Sequence, residues 1–116
     1  TLFRSLCEML NVHYSGSPTF TVALMNNKHY SKLSVKEINI NIPEGILINR
    51  LTNKNISLHD IELPNYPLIV KPNTEGSSLG ISDTSVCHNI QQLETAYKYL
   101  IKYLRKNLYY QMVQLK

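Results

Sequence analysis

Tyr66-Pro67-Leu68-Ile69-Val70-Lys71-Pro72-Asn73-Thr74-Glu75-Gly76-Ser77-Ser78-Leu79-Gly80-Ile81-Ser82 is the stretch on which the fold turns. Leu68-Ile69-Val70 is a short apolar run of β-branched and aliphatic residues, which reads as a strand launched by Pro67 and ending at Lys71-Pro72. The strand delivers a lysine, and a loop rich in Gly and Ser follows at once. Glycine lets a backbone approach a ligand closely, and successive amides can form an anion-binding concavity. A lysine at the base of such a loop is a compact positive charge suited to phosphate. The plain alternative is a β-hairpin with a surface lysine, Ile81 onward returning as its second strand, and short Gly-Ser loops of that kind are common. The loop is not a P-loop, because the GK[ST] ending is absent.

Outward from this loop, helices and short strands alternate. Upstream, Leu2, Phe3, Leu6, Met9 and Leu10 recur at helical spacing, and Val12 to Tyr14 is a candidate short strand. Ser17 is placed to cap a helix with Pro18 at its first position. The chain then reads helical to about Glu37 with a break at Asn26-Asn27, where a side-chain amide competes for backbone hydrogen bonds. Gly45 to Ile48 reads as a buried strand, and residues 49–66 as a polar connection holding at most one helical turn. Downstream, Asn89 with Gln92 resembles a capping box. Leu93, Ala96, Tyr97, Leu100, Ile101, Leu104 and Leu108 follow as one apolar stripe. The class is α/β or α+β.

The whole chain has 116 residues, is 43% hydrophobic and 17% charged, and carries a net charge of +4. That length is one domain or part of one, and the composition excludes a disordered or collagen-like chain. No apolar run approaches the roughly 18 residues of a membrane span. Cys7 and Cys87 are too few and too far apart for a disulfide scaffold, which points to a reducing, cytoplasmic setting. His13, His29, His59 and His88 show no metal-ligand spacing. After Glu94 no acid remains, while Lys98, Lys102, Arg105, Lys106 and Lys116 follow among Tyr97, Tyr99, Tyr103, Tyr109 and Tyr110. Cations interleaved with rings suggest a nucleic-acid surface. Yet Lys98, Lys102 and Lys106 lie four apart beside the apolar stripe, as on a solvated helix face, and that reading is preferred.

Taken whole, residues 66–82 closely resemble the phosphate-loop motif of D-alanine–D-alanine ligases, members of the ATP-grasp superfamily. Tyr14 to Ser17, Ala23-Leu24 and Lys28 through Lys32-Leu33 resemble the same family's entry into its central subdomain, and the two blocks stand in the family's order and spacing. The resemblance spans about residues 2–105. It implies the ATP-grasp central subdomain, a small antiparallel or mixed sheet with flanking helices, incomplete here. Residues 1–17 would end the preceding N-terminal domain, and 18–116 would form the first ATP-binding subdomain, truncated at its C-terminal side.

By the same resemblance, Lys28 and Lys71 match the two lysines that reach the nucleotide phosphates. Glu75, Gly76, Ser77, Ser78, Leu79 and Gly80 match the loop that folds over the β- and γ-phosphates. Ser78 falls where an amide and a hydroxyl hold the γ-phosphate. Ser77 falls where a serine positions the amino-acid substrate, and the role of Glu75 stays open. The implied cofactors are ATP and Mg2+, the implied substrate a D-amino acid. The implied reaction is transfer of phosphate to a carboxylate, then attack on the acyl phosphate by a second amine. Magnesium ligands are expected outside this segment, no nucleic acid or membrane is implied, and a homodimer of the whole enzyme is open to it.

Two departures stand out. Asn26-Asn27 occupies the place where the family usually has Met-Asp. Leu108 to Lys116 lacks the acid with which the family's next strand holds adenine and ribose, so either the chain stops where that strand should begin or the strand is altered. A fragment of this kind should not complete a ligation cycle alone. The alternative is a non-catalytic module that keeps the nucleotide loop.

Overall fold

The computed structural model describes residues 1–49, 57–103 and 109–115. Among these residues, four helices, α1 (Leu2–Met9), α2 (Thr19–Asn26), α3 (Lys28–Lys36) and α4 (Ile90–Tyr103), accompany four strands, β1 (Gly45–Asn49), β2 (Leu68–Pro72), β3 (Val86–Cys87) and β4 (Tyr109–Gln114). Single 3-10 turns lie at Leu58–Asp60 and Asp83–Ser85. The strands form one sheet in the order β1-β4-β2-β3, every neighbouring pair antiparallel. The last strand in sequence thus lies inside the sheet, between β1 and β2. The expected class, helices with a small sheet, is what forms, and the sheet is antiparallel.

The core lies between one sheet face and α4. Leu93, Ala96, Tyr97 and Leu100, spaced three, four and seven from the first, bury one stripe of the helix. They meet Leu68, Val70, Tyr110 and Met112, alternate residues of β2 and β4 and therefore on one face of the sheet. Tyr97 and Tyr110 pack edge to face with centroids 5.8 Å apart. Each is a T-shaped ring partner in the core rather than an exposed stacking platform. Leu104, Arg105, Lys106, Leu108 and Lys116 lie outside the described residues. Lys98 is exposed and pairs with Glu94 at 3.7 Å, as a wet helix face does.

β4 is buried on both faces, Gln111 as completely as Tyr110 and Met112. Its second face, shared with Gly45, Ile69, Lys71 and Val113 by register, is approached by α3. A Cβ on Gly45 would lie 2.7 Å from the Met112 carbonyl oxygen and 3.2 Å from Lys32 Nζ. This glycine is therefore required by close approach, with β4 beneath it and a lysine of α3 above.

The expected break at Asn26-Asn27 is present: Asn27 is extended (φ −97°, ψ 99°) and its side chain accepts from Tyr30 N at 3.0 Å, capping α3. The start of α4 is capped by Asn89, which accepts from Gln92 N at 2.9 Å, while Gln92 reaches back to His88 N at 2.7 Å, one residue earlier than in a standard box.

Three expectations fail. Val12 to Tyr14 forms no strand, and among the described residues no sheet partner lies alongside; Tyr14 donates its hydroxyl hydrogen to Glu8 Oε1 instead. Ser17 does not cap α2. Pro18 is its N-cap, and Glu8 of α1 accepts from Thr19 N at 2.9 Å, so the satisfying oxygen comes from another helix. Ile81 does not begin a returning strand. Ser82 opens the 3-10 turn, with Ser82 N donating to Ser85 Oγ at 3.0 Å, and pairing with β2 starts only at Val86. The loop after β2 is accordingly longer than a hairpin.

Candidate functional site

Lys71 sits near the end of β2, on the sheet face turned toward α3. α3 begins beside it. Lys28 N donates to the Asn73 carbonyl at 3.1 Å and His29 N to Asn73 Oδ1 at 2.9 Å. The Lys28 ammonium donates to the carbonyl oxygens of Asn73, at 3.3 Å, and of Glu75. Two segments more than forty residues apart in sequence are thereby tied at one point, and Lys28 and Lys71 lie within electrostatic reach of each other.

Burial holds the Lys71 ammonium below the usual lysine pKa. Lys28 is lowered by burial and then by the Lys71 charge, with Glu75 acting the other way. Lys32, one turn along α3, is lowered by burial and again by Lys71. His29 is lowered by burial and by Lys32. Among the described residues none of these three lysines forms an ion pair with a carboxylate. Clustered, partly desolvated cations that repel one another form a place where a polyanion is favoured.

The loop beyond carries the signs of a ligand-facing turn. Ser77 (φ 52°), Ser78 (φ 56°) and Gly80 (φ 76°) are all left-handed. That conformation is ordinary for glycine and strained for the two serines, by about 1 kcal/mol or more each. Leu79 N donates to the Gly76 carbonyl at 3.1 Å and Ile81 N to the Ser78 carbonyl at 3.0 Å, so the loop is a chain of tight turns. Its tip, Gly76 to Leu79, is exposed. Lys28, Lys71 and the main chain at Glu75 therefore come together at the base, while Ser77 and Ser78 stand out in solvent above it.

A groove of about 810 Å3 runs beside this point, between α3 and the entry to β1, and includes His29, Lys32, Lys36, Glu44 and Glu62 in its walls. Lys28, Lys71 and the loop do not line it. Three polar residues at the site carry no site role in the sequence reading: Lys32, Asn73 and Gln111. For Lys32 a signal existed, since it lies four residues after Lys28 and so on the same helix face. Asn73 and Gln111, both about 1% exposed, are joined by a bond of 2.8 Å from the turn after β2 to β4, which no local pattern shows.

A family model described as the C-terminus of D-Ala–D-Ala ligase matches residues 35–115, more than half of the chain. The chain belongs to the D-alanine–D-alanine ligase family. Among relatives, the D-alanine–D-alanine ligase of Helicobacter acinonychis is 39% identical over 80 residues, which are 67% of this chain and 22% of that protein. That of Aquifex aeolicus is 31% identical over 110 residues, 89% of this chain and 32% of that one. The chain thus spans about a quarter to a third of the length of these ligases. Among solved structures, the D-alanine–D-alanine ligase of Helicobacter pylori superposes over 98% of this chain and 34% of its own, with a TM-score of 0.76 and 26% identity. The VanG D-Ala:D-Ser ligase of Enterococcus faecalis superposes over 97% of this chain and 31% of its own, with a TM-score of 0.81 at 23% identity, a likeness of fold. The family match begins after Lys28, so for that lysine the observed geometry carries the argument. Between the two alternatives for the C-terminal segment, a strand does form, as β4, with Gln111 at its centre and no acid in it.

Proposed function

We propose that this chain is the central nucleotide-binding part of an ATP-dependent carboxylate–amine ligase of the D-alanine–D-alanine type, acting on peptidoglycan precursors in the cytoplasm. The observation that carries the reading is the convergence of Lys28 and Lys71 at the foot of a strained, glycine-bearing loop. In this reading residues 1–17 end a preceding domain and 18–116 belong to the nucleotide subdomain. The packing supports such a division, since α1 buries only Cys7, which lies outside the main core cluster, and exposes Leu2, Phe3, Leu6 and Met9.

Lys28 and Lys71 take the triphosphate charge, and the amides of Gly76 to Gly80 close over the terminal phosphates with Ser78. These groups offset the charge that builds on the phosphoryl group as it passes to a substrate carboxylate. Ser77 orients the amino acid, and the second amine displaces phosphate to leave the dipeptide. The donor set fits a polyphosphate, being cationic and free of ion-paired acids among the described residues. Magnesium would be held by residues elsewhere in the protein and would supply positive charge that offsets that of the phosphates. Among the described residues no three His, Cys, Asp or Glu converge, and no helix is long and apolar enough to cross a membrane.

The direct test is Lys71→Ala in the whole ligase, read as ADP release driven by D-alanine. A fall of on the order of a hundredfold or more is expected for loss of a phosphate-directed charge. Unchanged turnover would remove Lys71 from the site.

A further inference from the structure

Asn73 joins three separately positioned pieces of the site. Its Oδ1 accepts from His29 N at 2.9 Å and from Gln111 Nε2 at 2.8 Å, and its Nδ2 donates to Asn27 Oδ1 at 2.9 Å. Its main-chain carbonyl accepts from Lys28 N. The direction of every amide in this chain of bonds is set by two backbone donors. His29 N can only donate, so Oδ1 of Asn73 must face it, and Nδ2 must then face Asn27. Tyr30 N can only donate, so Asn27 presents its own oxygen there. Gln111 must offer its Nε2 to the oxygen already turned toward His29. Gln111 Oε1 is left buried without a partner, but the bonds that are made hold one arrangement, and Asn73 and Gln111 at their centre are each about 1% exposed.

What this arrangement holds is the pair of lysines. Asn73 follows Lys71 by two residues across Pro72. Gln111 is the register partner of Lys71 on β4, and His29 and Asn27 flank Lys28. We infer that Asn73 is a positioning residue that locks the first turn of α3 onto the end of β2 and so sets the Lys28–Lys71 spacing presented to the nucleotide phosphates. The inference rests on the nucleotide reading above. It assigns the ordering of two mutually repelling ammonium groups to a neutral amide network, which adds no charge that would compete with phosphate.

The test is a double-substitution cycle in the whole ligase, with Asn73→Ala, Lys28→Ala and the two together, measured as KM for ATP, KM for D-alanine and kcat. Asn73→Ala should raise the ATP KM on the order of tenfold and leave the D-alanine KM unchanged, since a misplaced lysine weakens one ligand only. In the Lys28→Ala background the same substitution should add little, because its effect runs through that lysine. Effects that multiply, or a D-alanine KM that rises in step, would overturn the inference. Gln111→Met, which removes one bond of the network and keeps an unbranched side chain of similar length, should show the same pattern more weakly, and serves if Asn73→Ala does not fold. If Lys28→Ala and Lys71→Ala both leave the ATP KM untouched, the nucleotide reading itself falls. If they raise it and the cycle is multiplicative, only the role of Asn73 does.

Discussion

Lys28, Lys32 and Lys71 each have a pKa lowered chiefly by burial, and the charge of Lys71 adds to the shift of the other two. In the unfolded chain they regain ordinary lysine values. Between the lowered and the ordinary value the unfolded chain holds more protons, so the stability of the ligand-free fold rises with pH across that alkaline window. Below it, the three charges oppose folding in full. In the proposed nucleotide site, affinity has the opposite sign, falling as Lys28 and Lys71 deprotonate. Thermal midpoints of the empty protein and ATP affinity, followed together from neutral to alkaline pH, should therefore diverge. Lys71→Met should raise the ligand-free midpoint while abolishing the nucleotide response, the expected trade between stability and a charged site. Gly45 is the other residue with a sharp expectation. Its substitution by Ala puts a methyl 2.7 Å from the Met112 carbonyl oxygen, which should destabilise by about 2 kcal/mol in denaturant unfolding, with Lys32 displaced.

Among the elements, α4 is the one whose register was plain in the sequence. Its stripe at 93, 96, 97 and 100 needs only the 3.6-residue period, and its cap needs only Asn89 and Gln92. Leu93→Ala should cost about 3 kcal/mol, the range for a fully buried leucine, against about 1 kcal/mol for Asn89→Ala, both read from urea midpoints. The break between α2 and α3 was equally legible, because an Asn side chain that caps acts within three residues of itself. The start of α2 was not. Ser17 and Pro18 form the usual cap sequence, but the oxygen that reaches Thr19 N comes from Glu8, on a helix whose placement no local signal encodes. Ile81 misled for a related reason. An apolar residue after a Gly-Ser loop reads as the return of a hairpin, whereas the Ser82–Ser85 turn delays pairing to Val86.

In the whole molecule, β4 takes its place between β1 and β2, which have no bonds to each other in the sheet. Ending the chain before Tyr109 would leave β1 without its partner and remove Tyr110 and Met112 from the core. Such a variant should show no cooperative thermal transition by circular dichroism. The sequence by itself determined α4, the break between α2 and α3, the strand β2 and the family, because these rest on local periodicity and on a contiguous motif. Tertiary structure alone decided that β4 is interior, that Gly45 must lack a side chain, and that Asn27, Asn73 and Gln111 form one network. Those facts depend on hydrogen bonds and close approaches between segments distant in sequence, and such contacts leave no periodic trace in the segments that make them.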